Sequence, residues 1–178
     1  MRTSDVRTAV GVAVFTLCLA ANAAAQVMDK VEYFQDSINE KGDLNHIIRL
    51  NGGSSWVLSE ATLAPVASDL IVVMRDVIVE GKTVRAAWMF VGGEEIPAKH
   101  VEGVYPALPA FLTRVTASED QGTKLRLADG SELLVPGYNK FLLTRVKPPY
   151  KVLLASNRLS LFNLKDGARV QVQPANAK

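Results

Sequence analysis

The sequence predicts a mainly β protein, with an N-terminal amphipathic helix followed by two related small β-barrel units. Three observations carry that expectation. RLADGSELLV, Arg126 to Val135, is a diverged copy of RLNGGSSWVL, which stands earlier in the chain from Arg49 to Leu58. Both copies set a Gly-containing turn between two short extended runs, the sequence signature of a hairpin, and the repetition points to one small unit used twice. Ahead of both, Val27, Val31, Phe34 and Ile38 recur at spacings of 4, 3 and 4, which lays them along one helix face.

Residues 1–25 read as a signal peptide. Arg2 and Arg7 form a basic start, Ala9 to Ala21 an apolar stretch, and Ala23-Ala24-Ala25 the small residues that a signal peptidase needs. The apolar run is shorter than the ~20 residues of a spanning helix, so the expected mature chain begins at Gln26 with no transmembrane segment. Cys18, the only cysteine, falls inside the signal, and Leu17 before it does not suit lipoprotein processing. A periplasmic or secreted chain from Gln26 to Lys178, without disulfides, must then be held by its core.

Residues 26–42 are expected to be the helix, with acidic residues in its first turn and Gly42 as a left-handed stop. Residues 43–102 form the first unit. Its strands are His46 to Leu50, Ser55 to Leu58, the continuous apolar run Leu70 to Met74, Val77 to Val79, Thr83 to Phe90 and Glu95 to Ala98. The run at Leu70 reads as a strand buried on both faces, and Pro97 is expected to mark an edge or an end. Residues 103–110, with Pro106 and Pro109, read as a semi-rigid linker. Residues 111–174 repeat the plan: Phe111 to Thr116, Lys124 to Ala128, Glu132 to Val135, Tyr150 to Ala155, Arg158 to Leu164 and Ala168 to Val172, leaving 175–178 as a tail.

The order of strand, Asp-Gly-Ser turn, strand, buried strand and final Asp-Gly hairpin, carried by RLADGSELLV and FNLKDGARVQV and echoed in RLNGGSSWVL and MFVGGEEIPA, resembles small SH3-like barrels of exported bacterial proteins. The resemblance implies a non-catalytic binding or envelope-assembly module. It assigns no binding residue, since fold analogy alone does not place a site.

Charge is divided between the halves. Residues 26–110 carry 7 basic against 12 acidic side chains, a balance of −5, and residues 111–178 carry 11 against 5, a balance of +6. Either the halves face each other, or neighbouring copies meet head to tail and self-associate, or the second half meets an anionic partner such as an envelope polymer or lipid headgroup. An envelope protein is the further candidate partner, and export argues against nucleic acid.

No motif for catalysis, metal or phosphate binding stands out, and no cofactor is expected. The imidazoles of the expected mature chain are His46 and His100, and no Gly-x-Ser-x-Gly elbow accompanies them. A hydrolase acting on an envelope polymer, with one of these histidines as general base, is the alternative reading. His100 and Glu102 alternate onto one face of a strand, but two ligands do not make a metal site. The double glycines at 52–53 and 92–93 precede strands rather than helices, so they lack the dipole that holds phosphate.

One stretch interleaves aromatic and basic residues: Tyr138, Lys140, Phe141, Arg145, Lys147, Tyr150 and Lys151, stiffened by Pro148-Pro149. Aromatic faces beside cations can hold sugars, headgroups or strands by stacking plus charge, which makes these seven the candidate binding residues. The structural alternative turns Phe141, Leu143 and Tyr150 inward and leaves the cations to solvate the outer face.

Overall fold

The structure, a computed structural model, describes residues 28–139, 143 and 146–175. Residues 1–25 and the end of the tail lie outside the described residues, as do Gln26 and Val27. Among the described residues, thirteen strands make one antiparallel sheet. They are β1 (Asp29–Gly42), β2 (Ile47–Leu50), β3 (Ser55–Leu58), β4 (Asp69–Val79), β5 (Lys82–Val91), β6 (Glu94–Glu102), β7 (Leu108–Glu119), β8 (Lys124–Leu127), β9 (Glu132–Leu134), β10 (Tyr150–Ala155), β11 (Ser160–Asn163), β12 (Arg169–Gln171) and β13 (Gln173–Pro174).

The expected N-terminal helix is corrected: residues 29–42 are strand β1. A strand points successive side chains to opposite faces, and both faces of β1 are covered. Phe34 and Ile38 enter one core, while Val31 and Tyr33 enter another. Burial of two faces spaces the apolar residues at 3 and 4, which imitates a helical period. The β-branched and aromatic residues of Val31-Glu32-Tyr33-Phe34 suit a half-buried pleat. Gly42 is extended (φ −124°), and the left-handed residues come after it, Leu44 at φ 53° among them.

β1 also organises the pairing. It lies on β4 from Glu32 to Ser37, then passes to β2 from Ile38 onwards, with a bulge between Ile38 and Glu40. Pairings β2–β3, β3–β6, β6–β5 and β5–β4 close a ring of six strands. In the second half β7 behaves as β1 does: it lies on β10 up to Val115, then passes to β8 with a bulge between Val115 and Ala117. Pairings β8–β9, β9–β13, β12–β11 and β11–β10 complete a second ring. Between β12 and β13 stands only Val172, whose N–H donates to the Leu159 carbonyl at 3.0 Å.

The rings are joined edge to edge, from Asp29↔Leu112 to Tyr33↔Leu108. Three cores follow from this arrangement. The first ring encloses Phe34, Ile38, Ile48, Leu50, Trp56 and Met89 with their neighbours. The second encloses Val115, Leu125, Leu127, Leu133, Val152 and Leu161. A third core fills the seam between them with Val31, Tyr33, Ile71, Val73 and Phe90 from one side and Leu153, Ala155 and Phe162 from the other. Leu70 to Met74 is buried throughout because its even residues face the first core and its odd residues the seam. Each such side chain contributes about 1.5–3 kcal/mol on burial.

Two further expectations change. Leu70–Met74 and Val77–Val79 are one strand, β4. β6 does not stop at Pro97; it lies between β5 and β3 and runs to Glu102. Ser59 donates its N–H to the Pro97 carbonyl at 2.9 Å, and the reciprocal bond, for which proline has no hydrogen, falls where β3 ends. The connection from β6 to β7 turns at Gly103 (φ +86°), where a Cβ would lie 2.5 Å from the Gly53 carbonyl oxygen. It then lays Tyr105 and Ala107 against the first core.

Candidate binding surfaces

The seven residues singled out by sequence do not share one surface among the described residues. Lys140, Phe141 and Arg145 lie outside the described residues. Tyr150 and Lys151 are adjacent on β10 and so point to opposite faces. Tyr150 enters the second core, and its buried hydroxyl has no hydrogen-bond partner among the described residues. Burial, with the Asp166 carboxylate adding to it, pushes this phenol up to about 12. Lys151 turns to the first ring, where its ammonium donates to both carboxylate oxygens of Glu95 at 2.7 and 2.6 Å. Tyr138 is exposed, and its hydroxyl donates to Gln171 Oε1 at 2.6 Å. Lys147 is exposed beside the cis Pro148-Pro149 bond.

Lys151 and Glu95 nevertheless border a real depression. A groove of about 250 Å³ runs along the seam, lined by Phe90, Gly93, Glu95, Pro149, Tyr150, Lys151, Leu164 and Lys165. The ion pair occupies its rim, which leaves Lys165 as the exposed cation there without a carboxylate partner among the described residues.

Among the described residues, neither histidine is hydrogen-bonded to a carboxylate or a hydroxyl. The His100 ring packs edge-on against Trp56 and against Tyr105, with centroids 5.0 Å apart in each case. Its Nε2 is buried without a partner among the described residues. His46 Nδ1 lies 3.3 Å from the Leu58 carbonyl oxygen. The nearby hydroxyls are committed elsewhere: Ser54 accepts from Trp56 Nε1, and Ser55 donates to Glu102. Among the described residues, no three His, Cys, Asp or Glu side chains converge as a metal site.

A second surface was not singled out from the sequence. On the outer face of the first ring, exposed Ile47, Val57 and Val101 line a groove of about 280 Å³ across β2, β3 and β6. Glu40, Arg49 and Glu102 rim it, and Arg49 lies 3.8 Å from the Glu40 carboxylate and 3.7 Å from that of Glu102. The corresponding face of the second ring, found by setting Arg126 on Arg49, is built differently. Lys124 stands where Ile47 is, Glu119 where Gly42 is, and Glu132 where Ser55 is.

Lys124, Arg126, Glu119 and Glu132 form a closed lattice. Lys124 lies 2.9 Å from Glu132 and 3.8 Å from Glu119, and Arg126 lies 3.2 and 3.3 Å from the same two carboxylates. The hydrogen bond between Lys124 and Glu132 holds that carboxyl below the usual range and the ammonium above its own. One ring therefore covers this face with mutually satisfied charge. The other leaves Ile47, Val57 and Val101 exposed within an ionic rim. The sequence signal for the groove is a difference at three charged positions, visible only when RLNGGSSWVL and RLADGSELLV are compared outward from their Gly-containing turns.

No family model, no curated protein and no solved structure matches this chain.

Proposed function

We propose that the protein is a non-catalytic binding or assembly module of the bacterial cell envelope, exported with loss of residues 1–25 and built from two copies of one SH3-like unit. The observation that carries this reading is the apolar groove of Ile47, Val57 and Val101, set where the second ring carries a closed ionic lattice. Exposed, contiguous apolar surface rimmed by polar groups marks interaction sites. The strand switches and bulges at Ile38/Glu40 and at Val115/Ala117, which coincide when Arg126 is set on Arg49, support the duplication. The groove's rim bears two carboxylates against one guanidinium, in a half of net charge −5. An anionic polymer is repelled there, so the partner is an envelope protein presenting aliphatic side chains flanked by basic ones.

The experiment is co-purification of the tagged protein with its crosslinked partner from envelope fractions, comparing the native chain with Ile47→Lys and Val57→Asp. A partner held by the native chain and lost from both variants, with folding intact, supports the reading. The same partner held equally by all three would sink it.

A second reading gives the second half an anionic ligand, such as an envelope polymer or lipid headgroup. Its support is the +6 balance and the exposed cations Lys147, Arg158 and Lys165, which have no carboxylate partner among the described residues. Binding to anionic vesicles that weakens steeply with salt, and is lost when these three are reversed to Glu, would favour it.

A further inference from the structure

β4 and β5 outrun their neighbours. β1 pairs with β4 only as far as Met74, then leaves it to follow β7. β6 pairs with β5 only from Ala87 onwards. Among the described residues, 75–86 therefore pair only with each other, from Arg75↔Ala86 to Val79↔Lys82. They form a two-stranded arm of about 16 Å at the usual rise per residue. A lone two-stranded ribbon is marginal in water and is usually polar where nothing covers it. This one is not polar: Ile78 is 79 % exposed, and Val79 and Val84 are exposed as well.

The register sorts the arm into two faces. One face carries Ile78 and Thr83 above the cluster in which Arg85 bridges Asp76 and Glu32. The other carries, from base to tip, Val73 with Trp88, Arg75 with Ala86, Val77 with Val84, and Val79 with Lys82. This second face continues the wall of the seam, because Val73 belongs to the seam core and Trp88 packs against it. The second ring covers the base of the wall and, among the described residues, leaves Val77 half-buried and Val79 and Val84 exposed. The start of β1 meets this face at its base, where Asp29 reaches Arg75, while Met28 packs against the second core.

Charges along this face run in a definite order. At the base, Arg75 is held by Asp29 at 3.2 Å and stacks over Trp88 at 5.0 Å. At the tip, Lys82 has no carboxylate partner among the described residues. A copy of the same arm, turned end for end, matches this order. Its valines meet Val77 and Val84, and each tip Lys82 comes to the base of the other arm, where the exposed Asp29 carboxylate is shared with Arg75.

We propose that the arm is a self-docking surface, by which two copies of the chain pack their Val77–Val79–Val84 faces together about a two-fold axis. An isologous contact of this kind closes on itself as a dimer. It is independent of the groove on the first ring.

Sedimentation velocity of the purified full chain, from about 1 to about 200 μM, spans the range in which moderate dimers dissociate. The expected result is a monomer–dimer equilibrium that Val84→Asp weakens at least ~tenfold, as expected for a central contact. Ile78→Asp, on the opposite face, leaves it intact. A native chain that stays monomeric throughout overturns the proposal, as does a dimer that survives Val84→Asp or is lost equally with Ile78→Asp.

Should Val84→Asp fail to fold, Val84→Cys in a Cys18→Ser chain gives the same decision. Mild oxidation yields a covalent dimer for Cys at 84 and not for Ile78→Cys. Absence of that dimer, or its formation at both positions, overturns the proposal. Ile47→Lys leaves the oligomeric state unchanged, which keeps this test separate from that of the groove.

Discussion

Tyr33 of the first ring and Phe162 of the second face each other across the seam, with ring centroids 5.2 Å apart and planes tilted by 54°. Both are buried. The opposite charges of the halves meet far less: among the described residues, the one ion pair crossing from one half to the other is Lys151 with Glu95, and both side chains are about two-fifths exposed. Apolar packing and the β1–β7 ladder, rather than cancellation of charge, hold the rings together. The charge imbalance is left facing solvent, where a partner can meet it.

That division of labour gives the first prediction. Phe162→Ala removes an aromatic ring from the seam core and is expected to cost about 3–5 kcal/mol. Glu95→Gln breaks only the exposed pair and is expected to cost no more than about 1 kcal/mol. Urea unfolding of the two variants measures both. Equal losses would contradict an apolar seam.

Alkaline stability reports on Tyr150. Its phenol is pushed up to about 12 by burial, with Asp166 adding to the shift, whereas the unfolded phenol titrates near 10. The unfolded chain therefore releases this proton first. Stability from this group is intact below pH 10 and is lost as pH rises from 10 towards 12. Tyr150→Phe is expected to flatten that loss in unfolding measured at successive pH values. Tyr33, also raised chiefly by burial, leaves a smaller residual slope. Below pH 10, Tyr150→Phe should be neutral or stabilising, because it removes a buried hydroxyl that has no partner among the described residues.

Leu44 is held in the left-handed region at φ 53° and ψ 33°, with its side chain 86 % exposed. A leucine there gains no burial and bears the steric cost of that region, roughly 1–2 kcal/mol. Leu44→Gly is expected to raise stability by about 0.5–1 kcal/mol, the part that survives the added freedom of the unfolded chain. Thermal melting of the variant checks this; an unchanged or lower midpoint would contradict it.

The reading of residues 1–25 as a removable signal is checked by mass. Protein recovered from a periplasmic extract is expected to begin at Gln26, and recovery of the uncleaved chain there would contradict it.

Much of the architecture was legible in the sequence because turns and buried runs leave local marks. Ser55–Leu58 is the strand that the Asn-Gly-Gly turn announces, and Leu70 to Met74 reads as buried on both faces and is. β1 reads as a helix for a physical reason. Tyr33 and Phe34 enter different cores on either side of one strand, and one-dimensional spacing cannot distinguish two covered faces from a helical stripe. In the candidate stretch from Tyr138, alternation on β10 sends Tyr150 into the second core and Lys151 to Glu95, though both border the seam groove. The groove stays hidden because it is made by what is missing. Ile47 and Ser55 are ordinary residues alone, and they acquire meaning only beside Lys124 and Glu132 at the matching positions of the other ring.

The most direct test of the account is photocrosslinking in intact cells, with a photoreactive side chain placed at Val57 in the groove and, separately, at Leu134, its counterpart when Arg126 is set on Arg49. Both sites are exposed, so neither substitution should cost more than about 0.5 kcal/mol. A discrete adduct of one protein partner is expected at position 57, abolished by Ile47→Lys, and none at position 134. No adduct at 57, or the same adduct at both positions, would contradict it.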